Sequence, residues 1–148
     1  MKLRRIEQVV MTDGAGEVRQ IVGGASDPYI FTGLLYAISY VKDSGNPYSA
    51  GVDFSLQILP NDGSTESEKL IWEEANVDAD AVRFPRIEVT ENLQGGSIVQ
   101  YGTNTIIRMI PVVDERISIY ITNGGASNVG TFHIFVLDFF DYAGGLFI

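Results

Sequence analysis

The sequence predicts an all-β protein: an antiparallel β-sandwich of jelly-roll or Greek-key type, with about eight strands and little or no helix. Three observations carry that prediction. Apolar residues recur with period two, so Val52, Phe54, Leu56 and Ile58 share one face of a segment whose other face holds Asp53, Ser55 and Gln57. Turn residues interrupt these segments roughly every 8–15 positions. The links are uneven in length, short after Met11 and long between Pro60 and Lys69. Such a mixture is what crossing between two sheets requires.

Taken in order, residues 4–11 and 17–22 flank Thr12-Asp13-Gly14-Ala15-Gly16, a turn signal that predicts a leading hairpin within residues 1–25. Residues 34–41 and 52–59 follow as strands. Between Ser64 and Ala75 two readings stay open. Ser64 and Ser67 can cap one or two helical turns, or a loop leads into a short strand at residues 69–73 that carries Trp72. Residues 86–90 form a short strand, and residues 97–101 are a candidate ninth. Residues 105–110 and 131–137 are apolar on both faces in places, as central strands are, or strands whose outer face meets a partner. Residues 116–122 alternate again through Ile117, Ile119 and Ile121. Gly-Gly-Ala-Ser occurs at Gly23 and at Gly124, a repeat of turn chemistry rather than a duplication.

At 148 residues the chain is expected to be a single domain, residues 1–148, with residues 139–148 as an apolar C-terminal tail. Ten Lys and Arg against nineteen Asp and Glu give a net charge of −9, which argues against a grip on a nucleic-acid backbone. Acid concentrates in residues 62–80, where seven carboxylates face Lys69 alone. Zero cysteines exclude a disulfide scaffold, thiolate catalysis and Cys-ligated zinc. The start, Met1-Lys-Leu-Arg-Arg5, is basic, but no apolar run of a secretion signal follows it. The most apolar stretch, residues 29–41, is broken by Thr32, Gly33 and Ser39 and is shorter than the roughly 20 residues of a membrane helix. The expectation is synthesis in a cytoplasm, with no membrane partner.

No catalytic constellation assembles from the residue types. The single histidine, His133, lies mid-strand in Thr-Phe-His-Ile-Phe, and no Gly-x-Ser-x-Gly elbow accompanies it. It reads as a packed strand histidine. The acid pairs Glu73-Glu74, Asp78/Asp80 and Asp114-Glu115 read as solvated carboxylates, because general acid–base work needs two in unlike environments facing one cleft. Asn76-Val-Asp78-Ala-Asp80 begins like a calcium loop. It then has Ala81 where the sharp turn needs glycine and Ile87 where the bidentate glutamate belongs. Gly14-Ala-Gly16 lacks the third glycine of a phosphate cradle. Tyr29, Phe31, Tyr36, Tyr40 and Tyr48 read as core or interface packing before they read as a sugar platform. The expected set is therefore no catalytic residue, no cofactor and no metal.

The second half carries a more specific cadence. Phe84-Pro-Arg86, Ile110-Pro-Val-Val-Asp-Glu-Arg-Ile117, Ile119-Tyr-Ile-Thr-Asn-Gly-Gly125 and Gly130-Thr-Phe-His-Ile-Phe-Val136 follow in close order. Together with Leu34-Leu-Tyr-Ala-Ile-Ser-Tyr40 and the strand at residues 52–59, this pattern resembles a group of small tailed-phage virion proteins encoded beside the major capsid protein. The resemblance covers residues 30–137. It implies a β-sandwich structural protein of the virion, a capsid decoration (cement) protein whose partners are the major capsid protein and copies of itself. A phage tail or fibre component, or a carbohydrate-binding β-sandwich, is the alternative. The C-terminal rings Phe132, Phe135, Phe139, Phe140, Tyr142 and Phe147 outnumber what one small core holds, which predicts a homo-oligomer, with a trimer preferred.

Overall fold

A computed structural model describes residues 2–61, 69–88 and 107–138. Nine strands run through them: β1 (Lys2–Met11), β2 (Val18–Ile21), β3 (Phe31–Lys42), β4 (Asp53–Pro60), β5 (Lys69–Glu74), β6 (Ala81–Arg83), β7 (Arg86–Glu88), β8 (Ile107–Thr122) and β9 (Val129–Asp138). Every ladder between them is antiparallel, and no helix occurs among the described residues. The all-β antiparallel expectation holds. Of the two readings near Trp72, the strand is the one observed, with Leu56 paired to Trp72. The candidate strand at residues 97–101 and the tail from Phe139 lie outside the described residues.

The strands form one hydrogen-bonded network in the order β1-β9-β3-β8-β4-β5, with β2 and β7 on β8 and β6 on β3. The expected sandwich would place them in two separate sheets; here β8 and β3 carry the bonding from one layer to the next. Two irregularities make this transfer. Tyr36 sits at a bulge between Leu35 and Ala37, where β3 exchanges β8 for β6 as its neighbour. In β8, Asp114 adopts φ 52°, and the buried positions change from Ile110 and Val112 before it to Ile117, Ile119 and Ile121 after it. The strand thereby bends without stopping. Residues 105–110 and 116–122, two strands by alternation alone, are joined in this one element.

The predicted leading hairpin is corrected. β1 pairs with β9 along its length, from Lys2↔Asp138 to Met11↔Val129, whereas β2 pairs with β8 through Val18↔Ile121. The turn itself is built as the sequence suggests, with Asp13 Oδ1 accepting from the Ala15 and Glu17 amides at 2.8 and 3.0 Å. It acts as an arch between layers because the link from β8 to β9 lies beside it. The Gly124 amide donates to the Gly16 carbonyl at 2.9 Å, and a Cβ on Gly16 would come within 2.9 Å of Gly125 N. Thr12 fastens the same junction: its amide donates to the Asn128 carbonyl, and its hydroxyl donates to Gly125 O at 2.5 Å. The two Gly-Gly-Ala-Ser segments differ in conformation, with positive φ at Gly23 and Gly24 in one and at Gly125 and Ser127 in the other.

Folding the network over buries one core. Phe54 on β4 meets Phe132 on β9 at a 5.1 Å ring separation, although these strands are not neighbours in the ladder order. Around Phe54 stand Tyr40 at 4.7 Å and Trp72 at 5.5 Å, both edge-to-face, the arrangement that the ring quadrupoles favour. Tyr48 closes the end of this cluster, and its hydroxyl donates to the Val10 carbonyl at 2.5 Å.

Candidate interaction face

Alternation on β1, β9, β3 and β6 leaves a second face directed away from the core. Cross-strand partners share it: Leu3, Leu137 and Leu34 in one row, Arg5, Phe135 and Ala37 in the next, then Glu7, His133, Ser39 and Val82, then Val9, Thr131 and Val41. Most of these side chains are apolar, and several stand in the open, with Leu3 50%, Val9 51% and Val82 53% exposed, whereas Ala37 is buried and Leu34, Phe135 and Leu137 are half-buried. At one margin Phe84, 55% exposed, meets Tyr36 edge-on at 5.9 Å. The Arg86 guanidinium lies over both rings and donates to the Tyr36 carbonyl at 3.0 Å. Exposed apolar side chains grouped on one sheet face are characteristic of association surfaces.

A single polar row crosses the face. His133 Nδ1 lies 3.3 Å from Ser39 Oγ, and His133 Nε2 lies 3.2 Å from Glu7 Oε2. Hydroxyl, imidazole and carboxylate are thus linked in the connectivity of a nucleophile, its base and the group that orients the base. The sequence reading overlooked this set, because its members come from three separate segments. Register alone brings them together, Glu7 and Ser39 both standing opposite His133. Acyl transfer also needs donors aimed at a developing oxyanion. The backbone groups around Ser39 and His133 are engaged by ladders on both sides, since β9 lies between β1 and β3, and β3 between β9 and β6. The row lies across the outer sheet face and links three polar side chains amid apolar ones.

The other sequence candidates are dispersed. Arg83 Nη2 donates to both carboxylate oxygens of Glu74, at 2.7 and 2.8 Å, separate from Glu73. Asp78 pairs with Lys42 Nζ at 3.0 Å, and Asp80 accepts the Lys42 amide at 2.7 Å. The calcium-like oxygens are therefore directed to lysine and backbone donors, and among the described residues no group of three or more His, Cys, Asp or Glu is arranged for a metal. Asp114 meets Asn61 Nδ2 at 3.2 Å, and Glu115 faces Lys69 at 3.9 Å. Tyr40, Tyr48 and Trp72 belong to the core, leaving Tyr36 as the exposed ring of the suspected sugar platform. Asp53, Glu73, Glu74 and Tyr120 line a hollow of about 350 Å³.

Burial shifts two phenols. It pushes Tyr40 up to about 12, with the carboxylates of Asp80, Asp78 and Asp43 adding to the effect. Burial raises Tyr48 as well, further than Tyr40, with Tyr40 itself contributing. Both belong to the packed end of the core and not to the outer face. Comparison of the chain with protein-family models, with curated proteins and with solved structures returned no match.

Proposed function

We propose that the chain is a non-enzymatic structural protein of a tailed-phage virion: a capsid decoration protein that adheres to the lattice of the major capsid protein and assembles with copies of itself, as a trimer at threefold positions. The observation that carries this reading is the outer face of β1, β9, β3 and β6, a largely apolar sheet surface crossed by a hydrogen-bonded polar row. Apolar surface spread across a sheet face suits adhesion to another protein better than it suits capture of a small molecule, for which concave sites serve. Contacts repeated around a symmetry axis gain effective concentration from their neighbours, so each can be individually weak. The rings from Phe139 onward, expected to serve the threefold contact, lie outside the described residues.

The test is the protein content of intact particles. The proposal expects the chain to copurify with full capsids at a copy number commensurate with the major capsid protein. Val82→Lys, on the outer face and away from β1, should lower that occupancy while leaving the circular dichroism spectrum unchanged. Absence from particles overturns the proposal. A handful of copies per particle would instead indicate a tail or fibre component, and calcium-dependent binding to a glycan array a carbohydrate-binding module.

A further inference from the structure

The ten-residue strand β1 pairs along one edge with β9, and among the described residues no strand pairs its other edge. An open edge of this length is a template for another strand unless the chain blocks it. Blocking devices are few here: β1 contains no proline and no bulge. The alternation of an antiparallel ladder decides which groups are open. The Thr12 amide bonds to the Asn128 carbonyl, so even positions of β1 face β9 and odd positions direct their N–H and C=O outward. One of these outward carbonyls, that of Val9, is met by the Gln8 side-chain amide at 2.9 Å, a substitute for a strand partner.

We propose that two copies of this chain associate through antiparallel pairing of their β1 strands, on a twofold axis at Ile6. The register follows from hydrogen-bond parity and charge. Odd residues must meet odd residues, which admits axes at Arg5, Ile6 and Glu7 among the central positions. An axis at Arg5 places Arg5 against Arg5, and one at Glu7 places Glu7 against Glu7, both like-charge pairs directly opposite. The axis at Ile6 places Arg5 against Glu7 twice, Leu3 against Val9 twice, and Ile6 against itself. Opposite charges and apolar side chains then match at every outward position from 3 to 9. This is strand addition in which the partner is the same strand. It joins two four-stranded layers into one, doubling the outer face. This twofold contact is separate from the threefold contact of the proposed role and links two trimers where both form; it does not rest on that role, because mass in solution and occupancy on particles are separate readouts.

Multi-angle light scattering on wild type, Arg5→Glu, Glu7→Arg, the double substitution and an equimolar mixture of the two single variants tests the register. Each single variant should halve the assembly mass, with a rise of about tenfold or more in the dissociation constant. The double variant and the mixture should both restore it, since each regains two opposite-charge pairs. A mass unchanged by the single substitutions overturns the proposal, as does a double variant that fails to restore it. Should either single variant misfold, a second measurement decides. The chain has no cysteine, so Ile6→Cys supplies a lone thiol at the axis, which should oxidise to a covalent dimer, while Leu3→Cys, opposite Val9, should not. The reverse outcome, or no crosslink from Ile6→Cys, overturns the pairing.

Discussion

Gly33 shows how closely two strands of this molecule approach. It holds φ +149°, and a Cβ there would lie 2.1 Å from the Leu137 carbonyl oxygen, inside the β3–β9 ladder. Gly33→Ala should therefore cost about 2 kcal/mol or more, read as a fall in the thermal midpoint. The buried phenols Tyr40 and Tyr48 set an alkaline limit. Below the ordinary phenol value both states keep the proton, so their contribution to stability is intact. Above it the unfolded chain releases protons that the folded chain holds, and stability falls from about pH 10 upward. Tyr48→Phe should make that fall shallower, and at neutral pH should cost about 1 kcal/mol through the lost bond to Val10. Asp13 acts in the other direction. The Glu17 and Ala15 amides hold its carboxylate below the usual 3.8, so its contribution is present above that value and is lost as the pH falls through the lower folded value.

Among the elements, the paired arches set the topology. β1 and β2 diverge at Asp13, β8 and β9 diverge at Gly124, and each arm bonds sideways to an arm of the other arch. Thr12 is buried at their junction, donating to Gly125 O and accepting the Asn128 amide at 3.0 Å. Thr12→Ala leaves both partners without that hydroxyl. It should lower stability by roughly 1–3 kcal/mol, seen in urea titration as a reduced midpoint with an unchanged slope. The arch also explains β8: a strand that bends at Asp114 contacts β3 and β7 with its first half and β4 and β2 with its second.

For the whole molecule, the decisive fact is the distance along the chain between partners. The first described residue pairs with the last, Lys2 with Asp138, and Gly33 also pairs with Asp138. Loops that long must close before their ladders reward them, so refolding should take milliseconds to seconds or longer, slower than a helical domain of this size. Fluorescence of Trp72, the chain's only tryptophan and buried in the core, can follow it in stopped flow. Phe54→Ala removes the ring that both layers share and should cost about 3–5 kcal/mol, measured by the same signal at equilibrium.

Period-two alternation made β4, β9 and the second half of β8 legible in advance, because a strand's faces are fixed by geometry internal to it. The turn at residues 12–16 was legible too, for Asp13 and Gly16 carry their turn chemistry locally. Whether that turn closes a hairpin or an arch depends on Gly124 and Gly125, more than a hundred residues on, against which Gly16 packs. The continuity of β8 was hidden because Pro111 and the charged run from Asp114 to Arg116 look like a break. Only contact with Leu34 and Phe31 on β3 shows the chain extending through them. The polar row was the least visible feature: Ser39 stands 94 positions from His133, and Glu7 stands 126 from it. Alternation within a segment is a property of neighbours in the chain, whereas the choice of ladder partner is a property of the folded core. The class of fold therefore belonged to the residues, and the layer order, the outer face and the ladder partners of β1 among the described residues to tertiary packing.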